Sequence, residues 1–158
     1  MTDNYKLVWE CMNGGKVYLH PTHFEEELEE NLFFAKCLAQ KGKVVYLMPF
    51  YHSFQMKNPD ATINGRLVDF KYPKKTVNWH NAIQTHIRNA NRQGAAIVVV
   101  YFERDDIDRN QIIRGLSTAL QDGWNRHIRE VWLLYSNGVL LEISRIDVKN
   151  RSFIKQLL

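Results

Sequence analysis

The sequence predicts a mixed α/β fold, an α/β sandwich in which helices flank a central mixed sheet. Helix-type and strand-type patterns alternate along the chain, and this alternation favours the class. The unbroken apolar run at 95–102 is typical of a central strand that is covered on both faces. With 45% hydrophobic residues among 158, the chain has enough apolar material for one substantial core. We therefore expect a single domain over residues 1–158.

The first half of the chain combines short strands with one helix. A glycine-rich turn, Asn13-Gly14-Gly15, separates the first two apolar stretches, and apolar residues at helical spacing then run to a closing glycine. The predicted elements are strands at 5–10 and 16–20, a helix from Thr22 or His23 to Gly42, a strand at 43–48 and a loop at 49–58.

The second half repeats the alternation with longer helices. Gly94 ends one amphipathic pattern, and Ser136-Asn137-Gly138 is typical of a hairpin turn. The predicted elements are a helix at 78–93, a strand at 95–102, a helix at 108–121, strands at 131–135 and 139–143, and a short terminal helix at 150–158.

Asn64-Gly65 is the strongest turn signal in the chain, because this pair favours the two-residue turn of a β-hairpin. Residues 61–63 and 66–70 should therefore pair as antiparallel strands. Because side chains alternate along a strand, Asp69 and Lys71 should share one face. Asp60 begins the neighbouring strand.

Two carboxylates that converge on one point repel each other unless a cation lies between them. Hard oxygen ligands of this kind suit Mg²⁺ or Mn²⁺. A lysine beside them can position or deprotonate an attacking water and can offset negative charge on a phosphate. Asp60, Asp69 and Lys71 therefore indicate a metal-dependent phosphodiesterase, although Asp and Lys are also ordinary residues on a solvated strand face.

The net charge of +4 is consistent with a polyanionic partner. Cations and aromatic rings alternate after the hairpin, and together they can hold phosphates and stack bases. The candidate nucleic-acid-binding residues are Lys74, Lys75, Trp79, Arg88 and Arg92. The alternative is that these charges form a solvated helix face.

Several other classes of function are disfavoured. Cys11 and Cys37 are too few for a disulfide framework and lack metal-ligand spacing, so we expect thiols of a reducing compartment. No apolar run approaches the roughly 18 residues of a membrane span. His20, His23, His80 and His86 fit no zinc motif, and we expect packed or solvated rings.

The sequence Pro59-Asp60, followed after eight residues by Asp69-Phe70-Lys71, resembles the signature of the PD-(D/E)XK nuclease superfamily. The resemblance implies a mixed sheet flanked by helices, with the nuclease-like core at about 16–102 and a helix-and-hairpin extension at 103–158. It also implies that Asp60 and Asp69 bind the metal and that Lys71 serves the attacking water.

A closer resemblance concerns Lys16-Val17-Tyr18-Leu19-His20-Pro21, the acidic helix, and Ala35-Lys36-Cys37-Leu38-Ala39-Gln40-Lys41-Gly42. With the signature above, these segments resemble the tRNA-cleaving C-terminal domains of contact-dependent growth-inhibition toxins. Such domains end the following helix with a glutamine, which Gln93 matches. The resemblance implies a tRNA substrate, a cognate immunity protein, delivery as part of a secreted toxin, and a cytoplasmic site of action.

One position departs from the superfamily pattern. A metal-associated glutamate often lies in the first helix, and Asn31 stands at that place here. Glu27, one helical turn earlier, or the adjacent Glu30 is the alternative source of the carboxylate, and the Asn31 amide oxygen can bind a hydrated cation. The expected metal set is therefore Asp60, Asp69, Glu27 and Asn31, with Gln93 completing the catalytic group.

Two alternatives to a tRNA nuclease stay open from the sequence. One is a DNA-cleaving enzyme of the restriction or resolvase kind, because composition does not separate RNA from DNA as the substrate. The other is a non-catalytic nucleic-acid-binding or protein-interaction module on the same fold, which the missing glutamate at position 31 would allow. The sequence does not indicate an oligomeric state.

Overall fold

A computed structural model describes residues 4–50, 58–74 and 78–157, and these fall into two compact units. The first unit ends at Phe70 and the second begins at Lys71. Most of the predicted loop at 49–58 lies outside the described residues, and so does Lys75.

The described part of the first unit contains a mixed five-stranded sheet. Its order follows the chain, and only the second and third strands run parallel. The elements are β1 (Lys6–Glu10), β2 (Lys16–Leu19), a 3₁₀ turn (Glu25–Glu27), α1 (Leu28–Ala39), β3 (Val44–Leu47), β4 (Ala61–Ile63) and β5 (Arg66–Lys71), of which Lys71 already belongs to the second unit.

Helix α1 packs against β2 and β3. The strands present Val17, Val45 and Leu47, which are fully buried. Toward the hairpin, the ring of Phe34 in α1 stacks on Phe70 of β5, with ring centroids 4.8 Å apart. One face of this sheet is therefore the core face of the unit.

The first helix begins later than predicted. We expected Thr22 or His23 to open it, but α-helical geometry starts at Leu28, after a 3₁₀ turn whose N-cap residue, Phe24, offers no side-chain cap. The polar groups of Thr22 and His23 serve other partners, since the Thr22 hydroxyl contacts His20 and the His23 ring contacts the carbonyl of Met48.

The predicted hairpin is confirmed. Asn64 and Gly65 both have positive φ, at 53° and 75°, as a two-residue turn that matches the strand twist requires. The turn fixes the register of the two strands, in which Ala61 faces Val68 and Thr62 faces Leu67.

The second unit carries a smaller mixed sheet with two long helices packed on each other. Its strands β6 and β7 run parallel, and β8 returns antiparallel. The elements are α2 (Trp79–Arg92), β6 (Ile97–Phe102), α3 (Arg109–Ala119), β7 (Glu130–Tyr135), β8 (Leu140–Ser144), α4 (Arg145–Lys149) and α5 (Phe153–Leu157).

Side-chain caps explain where the helices of this unit begin. Asn78 and Asp108 accept hydrogen bonds from the backbone at the starts of α2 and α3. The predicted terminal helix at 150–158 is confirmed as α5, and an additional short helix, α4, precedes it and begins at a capping box formed by Ser144 and Asp147. Arg151, with a φ of 63°, separates the two.

Each unit therefore combines helices with a mixed sheet, which confirms the predicted mixed α/β class. The structural arrangement is compatible with an α/β sandwich. Among the described residues, no helix has both the length and the apolar composition needed to cross a membrane.

Replacing Gly15 with Ala should destabilise the protein. A Cβ atom at this position would lie 1.7 Å from the carbonyl oxygen of Ala39, so the entry to β2 and the end of α1 would have to separate. Overpacking of this kind costs about 3 kcal/mol, which corresponds to a loss of roughly 5 to 10 °C in melting temperature.

Thermal unfolding of Gly15→Ala measures this loss, and Gly14→Ala is the matched control. A Cβ at residue 14 meets no atom within 4 Å, although the φ of 92° makes alanine unfavourable there. The control should lose only about 1 kcal/mol. Equal losses in the two variants would contradict the proposed clash.

Candidate active site

Asp60 is fixed at the start of β4 by its own backbone and by its side chain. Its amide nitrogen donates to the carbonyl oxygen of Val68, and its carbonyl oxygen accepts from the amide of Met48, both at 3.0 Å. Its Oδ2 atom accepts the backbone N–H of Phe70 at 2.7 Å. The carboxylate is therefore held against the neighbouring strand β5.

Asp69 lies within hydrogen-bonding reach of Asp60, so the two predicted metal-binding carboxyl groups do meet. Asp69 is buried, with 2% of its surface exposed. Burial raises the pKa of Asp60 well above its ordinary value, and the neighbouring Asp69 carboxylate raises it further. The N–H of Phe70 opposes this shift.

This electrostatic arrangement has a direct consequence for the charge of the pair. A carboxyl group that lies beside a buried carboxylate is harder to ionise unless a compensating charge is present. In the absence of a cation, Asp60 therefore favours its protonated form. A divalent cation supplies the compensating charge instead, which is the reason such pairs bind metals.

Asn31 occupies the position where we expected a metal-associated residue, and it contacts the pair through its amide nitrogen. Its Nδ2 lies 3.4 Å from Oδ1 of Asp60 and 2.9 Å from Nε2 of His23. The His23 Nδ1–H donates to the carbonyl oxygen of Met48, so Nε2 is the acceptor and must face the amide nitrogen. Asn31 thus acts as a donor to Asp60.

His23 has a role in this site that the sequence analysis did not predict. Burial lowers the pKa of His23, although the hydrogen bond to Met48 opposes the shift. The neutral ring connects the loop before α1 to Asn31 inside the helix. No local pattern reveals this role, because the partner carbonyl is 25 residues away in the sequence.

Glu27 is an acidic side chain of the first helical region that acts on Asp60. It lies in the 3₁₀ turn, is half-buried, and its charge adds to the raised pKa of Asp60. A cleft of about 10 Å³ borders Glu27, His23 and Asp60, which is room for one water-sized group. Glu25, Glu26 and Glu29 are exposed, as expected for charges at a helix start.

The residues present fit a hydrated Mg²⁺ or Mn²⁺ ion better than a closed protein cage. In the described part of the chain, no group of three or more His, Cys, Asp and Glu residues is arranged to hold a metal. Mg²⁺ is usually held by one or two carboxylates, with water and substrate phosphate oxygens completing its coordination. The Asp60 and Asp69 pair is such a donor set.

The other predicted site residues lie in the second unit. Lys71 ends β5 two residues after Asp69 and is half-buried. Gln93 is the C-cap residue of α2 and is also half-buried. Arg88 and Arg92 are exposed one helical turn apart on α2. The Lys74 ammonium lies 4.9 Å from the centroid of the Tyr72 ring.

One predicted nucleic-acid contact needs correction. We expected Trp79 to stack on bases, but it is 4% exposed and belongs to the hydrophobic core of its unit. Its ring packs edge-on against Phe102 at 5.2 Å. The helical spacing of Trp79 with Ile83 and Ile87 already indicated the core face of α2, and this signal outweighs the neighbouring cations.

The family model for the contact-dependent growth inhibition CdiA C-terminal domain matches residues 57–150, more than half of the chain. The chain belongs to this CdiA C-terminal domain family. The matched segment includes both Asp60 and Asp69. No curated protein matches the chain.

The fold of this CdiA C-terminal domain is similar to a solved structure from Burkholderia pseudomallei. That structure is described as a CdiA-CT/CdiI toxin and immunity complex. The match has a TM-score of 0.57 and 24% sequence identity, and it covers 75% of this chain and 85% of the other. At this identity the likeness shows the fold alone.

Asp60→Asn should stabilise the metal-free protein at neutral pH. Because folding raises the pKa of Asp60 above its unfolded value of about 3.9, the folded state binds more protons. Stability is therefore full below that pH and falls as the pH rises through the folded pKa. An amide removes this titration, keeps an acceptor for Phe70, and can donate to Asp69.

We expect Asp60→Asn to melt a few degrees above the wild type at pH 7 in EDTA, and the difference to vanish near pH 3.5. Mg²⁺ should raise the melting temperature of the wild type but not of the variant. Asp122→Asn, an exposed acid of the second unit, serves as the control. A lower melting temperature for Asp60→Asn at pH 7 would contradict the strained pair.

Proposed function

We propose that this CdiA C-terminal domain is a toxin that hydrolyses nucleic-acid phosphodiester bonds with a divalent metal ion, and that its substrate is tRNA. One observation carries the proposal, namely the contact between the half-buried carboxyl group of Asp60 and the buried carboxyl group of Asp69. A fold maintains such a repulsive pair at a cost in stability. The pair of carboxyl groups lies within the segment that the family model matches, and this supports a functional reason for that cost.

In the proposed reaction, Asp60 and Asp69 would hold Mg²⁺ or Mn²⁺ together with water and phosphate oxygens. Such an ion would supply stabilisation of the negative charge that develops on the reacting oxygens. Asn31 positions Asp60 through its amide nitrogen, and Glu27 adds negative charge at the edge of the cleft. Asn31 is therefore proposed as a positioning residue.

Lys71 follows Asp69 by two residues on the same strand, and we assign it to the attacking water. An ammonium group there orients the water and offsets the charge that accumulates on the phosphate. Gln93 is assigned to a water or phosphate oxygen, and Arg88, Arg92, Lys74 and Lys75 to the phosphate backbone of the substrate.

The proposed partner is a cognate immunity protein. The similar chain from Burkholderia pseudomallei is described in a toxin and immunity complex, which supports the same type of partner here. The proposed site of action is the cytoplasm of a target cell, where tRNA is found. Delivery as part of a secreted contact-dependent toxin follows from the family.

Asp69→Asn and Lys71→Met should each reduce cleavage of total tRNA by about a hundredfold or more, because each removes a charge that acts on the transition state. The wild type should cleave with Mg²⁺ or Mn²⁺ and stop in EDTA. Asp122→Asn and Lys41→Met replace exposed residues and are the matched controls, with activity expected to be unchanged.

Each alternative result has a defined meaning for the proposal. Cleavage of plasmid DNA but not of tRNA would overturn the substrate and favour a DNA-cleaving enzyme. Absence of cleavage of either, with no Mg²⁺-dependent rise in melting temperature, would overturn the enzyme and favour a binding module. Full activity in Asp69→Asn would overturn the site.

A further inference from the structure

The first unit carries a cluster of aromatic rings that the proposed chemistry does not use. Tyr18 and Tyr46 stack with ring centroids 4.7 Å apart and planes inclined by only 7°. Tyr5 meets Tyr46 and His20 edge-on, at 5.2 and 5.3 Å. We call Tyr5, Tyr18, His20 and Tyr46 the aromatic platform.

The register of the strands places the platform on one face of the sheet. Tyr18 of β2 pairs with Tyr46 of β3, which pairs with Thr62 of β4, which pairs with Leu67 of β5. Paired residues of neighbouring strands point to the same side. Thr62 is therefore the next position after the stacked tyrosines.

This face is the one that α1 does not cover. The alternate residues Val17, Val45 and Leu47 are fully buried on the side against which α1 packs. Tyr18 and Tyr46 are only half-buried. Within the described residues of this unit, α1 is the one α-helix, so the platform keeps part of its ring surface accessible.

The row of the tyrosine stack continues at Thr62, and we call the space above this side chain the slot. Adjacent strands lie about 4.8 Å apart, which is close to the 4.7 Å spacing of the two rings. The next position in this series holds Thr62, whose short, partly exposed side chain does not occupy the space of a ring. A flat group placed above Thr62 would stack on the outer face of Tyr46.

The surroundings of the slot favour a nucleic-acid base. Lys16 lies two residues before Tyr18 on the same side of the sheet, and its ammonium group can meet a phosphate. Leu67 ends the row on β5, and Asp69 is the next residue on that side of the same strand. Tyr46 is two strands from β5, or about 10 Å.

We propose that the aromatic platform binds an unpaired base of the RNA substrate in the slot above Thr62, stacked on Tyr46, while Lys16 contacts the adjacent phosphate. The proposal rests on the proposed nuclease function and names how that site selects single-stranded RNA. Base stacking on aromatic rings is tolerant of sequence, so the platform selects unpaired over paired nucleotides.

The test measures binding separately from cleavage. Fluorescence anisotropy with a labelled oligouridine 12-mer, in EDTA to prevent hydrolysis, gives the dissociation constant. Tyr46→Leu, which keeps an apolar residue but removes the ring, should weaken binding about fivefold to a hundredfold. Tyr46→Phe keeps the ring and should bind as the wild type does.

A second variant fills the slot without removing any ring. Thr62→Phe should weaken oligouridine binding as Tyr46→Leu does, whereas Thr62→Val should not. An abasic oligomer of equal length and charge should bind the wild type weakly and should not discriminate among the variants. Circular dichroism and melting temperature confirm that each variant is folded.

The outcomes separate this proposal from the nuclease assignment. Weaker oligouridine binding in Tyr46→Leu and Thr62→Phe, without any cleavage by the wild type, supports the platform while the nuclease assignment fails. Metal-dependent tRNA cleavage with unchanged KM and unchanged binding in both variants overturns the platform alone. Tight binding of the abasic oligomer also overturns it, and so does loss of immunity-protein binding in these variants with RNA binding intact.

Discussion

The contact between Asp60 and Asp69 is the constraint on which the site depends. Oxygen ligands in the interior of a protein repel each other, so the fold must hold them by other contacts. Here these contacts are neutral: backbone groups of Met48, Val68 and Phe70 fix Asp60. Contacts of this kind hold Asp60 beside Asp69 without adding charge to the site. The raised pKa of Asp60 shows that burial and the proximity of Asp69 disfavour the ionised form of Asp60.

A series of hydrogen bonds runs from Met48 through His23 and Asn31 to Asp60. This series explains the role of asparagine at position 31. A glutamate there would bring a third carboxylate to the pair and would lose the donor that now meets His23 and Asp60. Asparagine instead stabilises the ionised form of Asp60 by donating to it. The site thus has fewer negative charges and a better-positioned carboxylate, which suits an ion that keeps much of its water.

The parts of the fold and site that the sequence predicted are those fixed by residues that lie close together in the sequence. Asn64-Gly65 predicted the hairpin, its register and the approach of Asp60 to Asp69, because a two-residue turn leaves little freedom. The late start of α1, the role of His23 and the burial of Asp69 depend on partners far away in sequence, and no periodic pattern encodes them. The prediction for Trp79 was wrong because its helical spacing with the buried Ile83 and Ile87 places it on the core face of α2, whatever the charge of its neighbours in sequence.

The hairpin register connects the proposed catalytic pair to the proposed base-binding slot. The pairing that sets Ala61 against Val68 brings Asp60 to β5, and the same pairing sets Thr62 against Leu67 beside the tyrosine stack. A shift of one residue in the pairing of β4 with β5 would turn every side chain of β4 to the other face of the sheet. The same shift would therefore both separate the two carboxyl groups and close the slot. Since both features follow from one two-residue turn, the positions of the carboxyl pair and of the slot cannot change independently in this fold. Asn64 and Gly65 both adopt the left-handed backbone that this turn requires, and this pair is the one that the turn favours.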